Sequence, residues 1–195
     1  MPTTTKRTTR KVAYVVAALA VLVAACGDDD DVTSATEVST GAPADGDAVT
    51  IGMVDYAFEG VPRSIAAGTP ITGTNGSAKE AHELVAFRLA DDETRSLAEL
   101  QALPPEELGA LTPGAPVLAM VARPGADTEV VLGDGALHDV GRYLLLCFIP
   151  TGADPDQVMS AMSAIAADPN AGPPQIDGGP PHMAAGMMAE IVVTP

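Results

Sequence analysis

The chain has 195 residues, with 26 acidic and 10 basic side chains and a formal net charge of −16. This length suits one domain with appendages, and a hydrophobic content of 47% is enough to fill a core. The acidic balance argues against a nucleic-acid-binding function, because neutralising phosphates needs a basic face. Two cysteines are too few for a disulfide-rich scaffold or a four-cysteine zinc site.

Residues 1–25 have the pattern of a secretory signal peptide. Four bases and no acid precede Val12, and the run from Val12 to Ala25 carries no charge. Such a run is shorter than the ~20 residues of a membrane-spanning helix. A basic start before a short apolar run is typical of an export signal. We therefore predict that residues 1–25 are removed from the mature protein.

The apolar run ends in the sequence Leu22-Val23-Ala24-Ala25-Cys26. This resembles the lipobox of bacterial lipoproteins, in which small residues precede a cysteine that is lipidated and becomes the new N-terminus. The resemblance implies lipidation of Cys26 and a stable membrane anchor, since two or more acyl chains suffice for that. It predicts a location on the outer face of the bacterial cytoplasmic membrane. Ordinary signal cleavage, which would leave Cys26 as a plain thiol, is the alternative.

Residues 26–48 form the predicted tether between this anchor and the domain. Gly27 to Ala48 carries seven acids and no base, with many small and polar residues. Such a segment buries too little apolar area to offset the entropy of ordering, so we predict an acidic flexible linker. The remaining domain, residues 49–195, has 19 acids and 6 bases. An acidic surface of this kind favours solubility.

Alternating apolar and polar residues predict an all-β domain in residues 49–195. About eight short segments have this pattern and are separated by Gly/Pro turns. They lie near residues 49–53, 56–58, 70–74, 82–89, 117–122, 128–132, 142–149 and 188–194. Strands of this number and length predict a β-sandwich.

Two short helical insertions interrupt the strands. Ser96 and Glu99 have capping-box spacing, and leucines follow at helical intervals. Asp154 followed by Pro155 predicts a second helix start, and the helix is expected to end at Asp168. A Gly/Pro-rich loop then continues to Pro181.

Four residues are candidates for metal binding. Cys147 ends an apolar strand, His82 opens another, and His182 and Met187 precede the last strand. A thiolate, two imidazoles and a thioether are the ligand set of a blue-copper site, in which the axial methionine is weak. The plain alternative for Cys147 is a small buried hydrophobic residue.

Several short pieces occur in an informative order: Tyr56-Ala57-Phe58, Ala67-Gly68-Thr69, Asn75 before His82-Glu83, Gly141-Arg142-Tyr143 before Cys147, and His182 before Gly186-Met187. Together they resemble the cupredoxin (plastocyanin-like) family. The resemblance implies a cupredoxin-like Greek-key β-sandwich over residues 49–195. With His82, Cys147, His182 and Met187 as ligands, it implies a one-electron copper carrier. In that family only a few residues separate the cysteine from the second histidine, whereas here residues 148–181 intervene.

Three functional hypotheses follow. The first is a lipid-anchored copper protein that exchanges electrons with a redox partner protein. The second is a metal-free cupredoxin-like module that binds a ligand or another protein, and the third is a carrier that delivers copper to an envelope oxidase. We predict no enzymatic activity, because Cys147 lacks the nearby histidine and carboxylate order of a nucleophile.

Two finer expectations concern the surroundings of the site. We expect an exposed edge of His182, next to the apolar loop at Pro180, Pro181 and Met183, to face a redox partner. We expect Glu83 to be an exposed strand carboxylate, with orientation of a metal ligand as its alternative role.

Overall fold

The structure is a computed structural model, which describes residues 47–112, 114–168 and 175–195. The predicted signal peptide, the lipidated Cys26 and all but the last two residues of the predicted tether lie outside the described residues, so these predictions stay predictions. None of the helices in the described ranges is long and apolar enough to span a membrane.

The described ranges contain nine strands, three α-helices and one 3-10 helix. The strands are β1 (Val49–Val54), β2 (Ala57–Glu59), β3 (Ser64–Ala66), β4 (Ile71–Asn75), β5 (His82–Arg88), β6 (Leu118–Ala122), β7 (Glu129–Leu132), β8 (Gly141–Leu146) and β9 (Met188–Thr194). The helices are α1 (Leu97–Gln101), α2 (Pro105–Ala110), α3 (Pro155–Ala167) and the 3-10 helix His182–Ala185.

The strands form two sheets. The smaller sheet has the order β2-β1-β4, and the larger has the order β3-β9-β8-β5-β6-β7. β1 runs parallel to β4 and β3 parallel to β9, while the other pairs are antiparallel. Parallel neighbours cannot be joined by a hairpin, so the chain crosses between the sheets. These two sheets confirm the all-β sandwich of the predicted fold class.

The main core lies between the two sheets. Ile51 and Met53 of the smaller sheet and Leu84 and Ile191 of the larger one are at most 1% exposed and belong to one buried cluster. Alternate residues of β1 and β4 point to this interior, which is why these two strands show a period-2 pattern in the sequence.

The larger sheet is also covered on its outer face. A second buried cluster joins residues of β8 and β9 to residues of α1 and α2: Leu89, Leu100, Leu108, Leu144, Leu146 and Met188. The helical insertion between β5 and β6 therefore supplies a second apolar layer. Because both faces of the central strands are buried, these strands contain continuous apolar runs instead of a clean alternation.

The predicted helices α1 and α3 are confirmed, with the Ser96–Glu99 capping box and the Asp154 cap in place. The first insertion, between β5 and β6, also contains a helix that was not predicted, α2. α2 begins with a proline at its first position and has no side-chain cap, so it lacked the sequence signal that marks the other two helices. β3 is only three residues long, too short to show a period.

Candidate metal centre

His82 follows a loop whose conformation is fixed by hydrogen bonds of the Asn75 side chain. The Asn75 amide donates to the carbonyl oxygens of Glu80 at 2.9 Å and Ala122 at 3.2 Å. Its side-chain oxygen accepts the N–H of Ser77 at 2.9 Å. Every polar atom of this buried amide is thereby used to hold the turn between β4 and β5. His82 follows at the first position of β5 and is 0% exposed.

Cys147 follows the last residue of β8 and is also 0% exposed. The backbone N–H of Glu83 donates to its Sγ atom at 3.5 Å. The Glu83 carboxylate accepts the N–H of Phe148, the next residue along the chain, at 2.9 Å. Glu83 therefore restrains the Cys147 thiol through its backbone N–H and the next residue, Phe148, through its side chain. The expectation that Glu83 is exposed is wrong, since only 6% of this residue is exposed.

The chain returns to the site at His182 because the two ends of the segment 148–181 pair with each other. Pro150 and Pro181 form an antiparallel bridge. The N–H of His182 donates to the carbonyl of Ile149 at 3.0 Å, and that of Met183 donates to Cys147 at 2.9 Å. This ladder fixes the second histidine beside the cysteine whatever the length of chain between them.

Gly178 allows the two ends to approach this closely. A Cβ atom at Gly178 would lie 2.5 Å from Cβ of Pro150 and 3.0 Å from the carbonyl oxygen of Thr151. At the neighbouring Gly179 the nearest atoms would be 3.5 Å away, which is an ordinary contact. The glycine pair in the loop therefore contains one position where a side chain does not fit.

Met187 follows the 3-10 helix, which ends at Gly186 in the left-handed conformation with φ 106°. The N–H of Met187 donates to the carbonyl oxygen of His182 at 3.1 Å, and the side chain is 0% exposed. The structure thus places Met187 in the core directly after the turn that carries His182. Its role as the fourth ligand stays a prediction.

Three of the four predicted ligands come together. One donor atom each from His82, Cys147 and His182 lies within 4.8 Å of the others, and all three residues are buried. The two Nδ1 atoms are 3.0 Å apart, and Cys147 Sγ lies 3.4 Å from His182 Nδ1. Donors bound to one ion at ~2.0–2.3 Å are separated by ~3–4 Å, so this spacing suits a shared metal.

The protonation states of the site are set by burial. Burial and the neighbouring His182 lower the pKa of His82 to about 4, against an opposing effect of Asp55. Burial likewise lowers the pKa of His182, opposed by Glu80 and Asp55. Both imidazoles are therefore neutral at neutral pH, which leaves a lone pair on each ring for a metal.

The thiol is shifted in the opposite direction. Burial and the nearby Glu83 raise the pKa of Cys147 above that of an ordinary thiol. Without a cation this thiol stays protonated at neutral pH, whereas a bound metal displaces the proton. Burial also raises the pKa of Glu83 to about 7, opposed by its bond from Phe148.

Three further residues form an outer layer around the histidines. Asp55 Oδ1 lies 3.8 Å from His82 Nε2, and Glu80 Oε2 lies 3.5 Å from His182 Nε2. The Tyr56 ring contacts His182 edge-on, with centroids 5.1 Å apart. Sequence reasoning did not identify these residues. Two of them had a signal: Glu80 lies two residues before a candidate ligand, and Tyr56 belongs to one of the pieces that resemble the cupredoxin family.

The outer layer explains a second correction. The expectation of an exposed His182 edge is wrong, because His182 is 0% exposed. Tyr56, in the turn between β1 and β2, packs edge-on against the His182 ring. His138, the third histidine, is exposed and pairs with Asp134 at 2.9 Å. It takes no part in the three-donor cluster.

The chain is similar to solved structures of two auracyanins and of rusticyanin. Auracyanin from the photosynthetic bacterium Roseiflexus castenholzii, reduced with dithionite, is 18% identical over 80% of this chain and 100% of that chain, with a TM-score of 0.41. Auracyanin A, a "blue" copper protein from Chloroflexus aurantiacus, is 15% identical over 76% of this chain and 100% of that chain, with a TM-score of 0.39.

Reduced rusticyanin is 14% identical over 76% of this chain and 81% of that chain, with a TM-score of 0.34. No protein-family model matches the chain, and no curated protein matches it. These similarities are distant, so the assignment of a metal rests on the donor atoms of the chain itself.

Proposed function

We propose that the protein is a copper-binding electron carrier, held at the outer face of the cell membrane by a lipid on Cys26. The observation that carries the proposal is the buried cluster of His82, Cys147 and His182 donors. One thiolate and two imidazoles are the equatorial ligands of blue-copper electron-transfer sites, and a weak axial Met completes them. Met187 is the residue proposed for that fourth position.

The residues fit copper for two reasons. The thiolate favours Cu(I) and imidazoles suit both oxidation states, so the donor set accepts both members of a one-electron couple. The backbone also holds two of the ligand residues in place. The N–H of Glu83 donates to Cys147 Sγ, and the N–H groups of His182 and Met183 donate to the carbonyl oxygens of Ile149 and Cys147. A rigid set of donors keeps the same geometry in both states, which makes the exchange of one electron fast. Copper supplies the redox change, and this chain supplies the rigid, dry environment.

An electron count tests this function against copper delivery. The copper-loaded, full-length chain in detergent is reduced with ascorbate, desalted, and reoxidised with ferricyanide. We expect one electron per chain in each direction, with all copper retained after desalting. Loss of the copper on reduction, or its transfer to a competing Cu(I) chelator at a rate near that of free copper, would favour the carrier function instead.

The anchor needs a separate experiment. We expect the wild-type chain in the membrane fraction of a bacterial host, with a mass that includes acyl chains on Cys26. The substitution Cys26→Ser removes the acylated thiol and releases the protein into the soluble envelope fraction. A Cys147→Ser variant is the matched control and stays in the membrane fraction. If Cys26→Ser stays there as well, the lipid anchor is wrong.

A further inference from the structure

Both histidines of the cluster have a second ring nitrogen that is buried and has no hydrogen-bond partner. Among the described residues, His82 Nε2 and His182 Nε2 are the buried side-chain nitrogen or oxygen atoms that lack a hydrogen-bond partner. A buried N–H group without a hydrogen-bond partner is costly, so the groups around these atoms are informative. In each case the nearest charged group is a carboxylate.

The arrangement constrains the tautomers. The two Nδ1 atoms are 3.0 Å apart, so in the metal-free protein one ring can donate an N–H to the other. Binding of a metal at both Nδ1 atoms requires both to be unprotonated. The single proton of each neutral imidazole must then sit on Nε2, opposite Glu80 in one ring and Asp55 in the other.

We propose that Glu80 is a positioning residue that holds His182 as the Nε2–H tautomer already in the metal-free protein, where His82 donates its Nδ1–H to His182, and that Asp55 favours the Nε2–H tautomer of His82 once a metal takes the place of that proton. This inference rests on the proposed function for its effect on copper. Its effect on the tautomer of His182 belongs to the metal-free protein and is independent of that function. Ligating histidines commonly donate their second N–H to a carboxylate, which fixes the ring and raises its basicity.

Of the two carboxylates, Glu80 has the stronger effect on its histidine. Its side chain is 16% exposed and its oxygens accept the N–H of Gly152 at 3.2 and 3.1 Å. The carboxylate is therefore held against His182 by the loop that follows Cys147. Asp55 is 63% exposed and lies 3.8 Å from its histidine, so solvent weakens its effect.

The two carboxylates also bias the redox equilibrium. A negative charge beside a ligand stabilises the more highly charged Cu(II) state more than the Cu(I) state. Removing the charge therefore weakens Cu(II) binding more than Cu(I) binding and raises the reduction potential. A tenfold loss of Cu(II) affinity with unchanged Cu(I) affinity corresponds to an upward shift of about 59 mV.

The variants are Glu80→Gln, Asp55→Asn and a matched control, Asp92→Asn. Gln keeps an oxygen for the N–H of Gly152, so Glu80→Gln removes the charge without removing that acceptor. Asp92 is exposed in the loop after β5, beyond the end of the strand opposite to His82. Its substitution removes the same charge far from the histidines.

The first measurement uses ¹⁵N NMR of the metal-free, full-length chain to determine the tautomer of each histidine ring. We expect His182 as the Nε2–H form in the wild type and in Asp92→Asn, and a loss of that form in Glu80→Gln. The second measurement is the Cu(II) affinity and reduction potential. We expect an affinity at least ~10-fold lower in Glu80→Gln and a smaller loss in Asp55→Asn.

The outcomes separate the two proposals. In one outcome, the protein binds copper while Glu80→Gln and Asp55→Asn match Asp92→Asn in both histidine tautomer and reduction potential. That result overturns the role of the carboxylates and leaves the proposed function intact. A tautomer change in a protein that binds no copper supports the role of Glu80 and overturns the proposed function. If Glu80→Gln does not fold, the Cu(II) affinity and reduction potential of Asp55→Asn, at an exposed side chain, test the effect of a carboxylate through His82.

Discussion

The carboxylate of Glu83 accepts the backbone N–H of Phe148 at 2.9 Å, while the backbone N–H of Glu83 donates to Cys147 Sγ. A buried carboxylate with one such partner is costly in a strand, and its burial raises its pKa to about 7. The pair joins β5 to the residue after the cysteine, so the thiol is held by a neighbouring strand and not by a flexible loop.

Glu83→Ala leaves the N–H of Phe148 without its acceptor in a part-buried position. We expect the unfolding free energy of the metal-free protein to fall by ~1–3 kcal/mol, which urea denaturation measures. Glu83→Gln retains an acceptor oxygen and is the matched control, with a smaller loss. Equal losses in the two variants would show that the hydrogen bond to Phe148 does not contribute.

Gly178→Ala is expected to impair the metal site without changing a donor. Its Cβ atom would lie 2.5 Å from Cβ of Pro150, so the backbone that carries His182 must move. We expect a Cu(II) affinity at least ~10-fold lower, since a ligand moved out of place loses much of its binding free energy. Equilibrium competition with a chelator measures it. Gly179→Ala, with no contact under 3.5 Å, should bind Cu(II) with the wild-type affinity. A lower affinity in Gly179→Ala, with wild-type affinity in Gly178→Ala, would contradict the account.

Tyr56 has φ of 65°, the positive-φ exception among the described non-glycine residues. A bulky side chain in this conformation costs about 1–3 kcal/mol, and such strain is retained where the surroundings require it. Tyr56→Gly relieves the strain but removes the ring that contacts His182. We expect little change in stability and faster removal of bound copper by a chelator, followed through the visible absorbance. Tyr56→Phe keeps the ring and should lose copper at the wild-type rate. Identical rates for all three proteins would exclude a shielding role.

Glu93 provides a prediction on pH. Its carboxylate accepts from the Arg95 side chain at 2.9 and 2.5 Å, and this hydrogen bonding to Arg95 lowers the pKa of Glu93 from 4.5 to about 2. The ionised form is favoured in the folded state, so its contribution is complete above pH 4.5 and is lost as the pH falls towards 2.

We therefore expect the stability difference between wild type and Glu93→Gln to shrink as the pH is lowered through that window. Thermal unfolding over a pH series measures it. Glu129→Gln, which removes the same charge at an exposed residue of β7, is the matched control. A difference for Glu93→Gln that is independent of pH would contradict the assignment.

The sequence predicted the strands with clear alternation and the two helices with side-chain caps, because those signals are local. It also identified His82, Cys147 and His182, whose order along the chain matched a known ligand pattern. It did not predict the burial of Glu83, because the residues that contact it, Cys147 and Phe148, lie 64 and 65 residues further along the chain. The contact of Tyr56 with His182 was also beyond the sequence, since the turn and the second histidine are 126 residues apart and no local pattern links them.

A Cu(II) titration of the full-length chain in detergent, with visible absorption recorded at each addition, tests the central claim most directly. The account predicts an intense thiolate-to-copper band that saturates at one copper per chain. The band should be absent in Cys147→Ser and unchanged in His138→Gln, whose histidine is exposed and lies outside the three-donor cluster. A protein that stays colourless, or a band that survives Cys147→Ser, would contradict it.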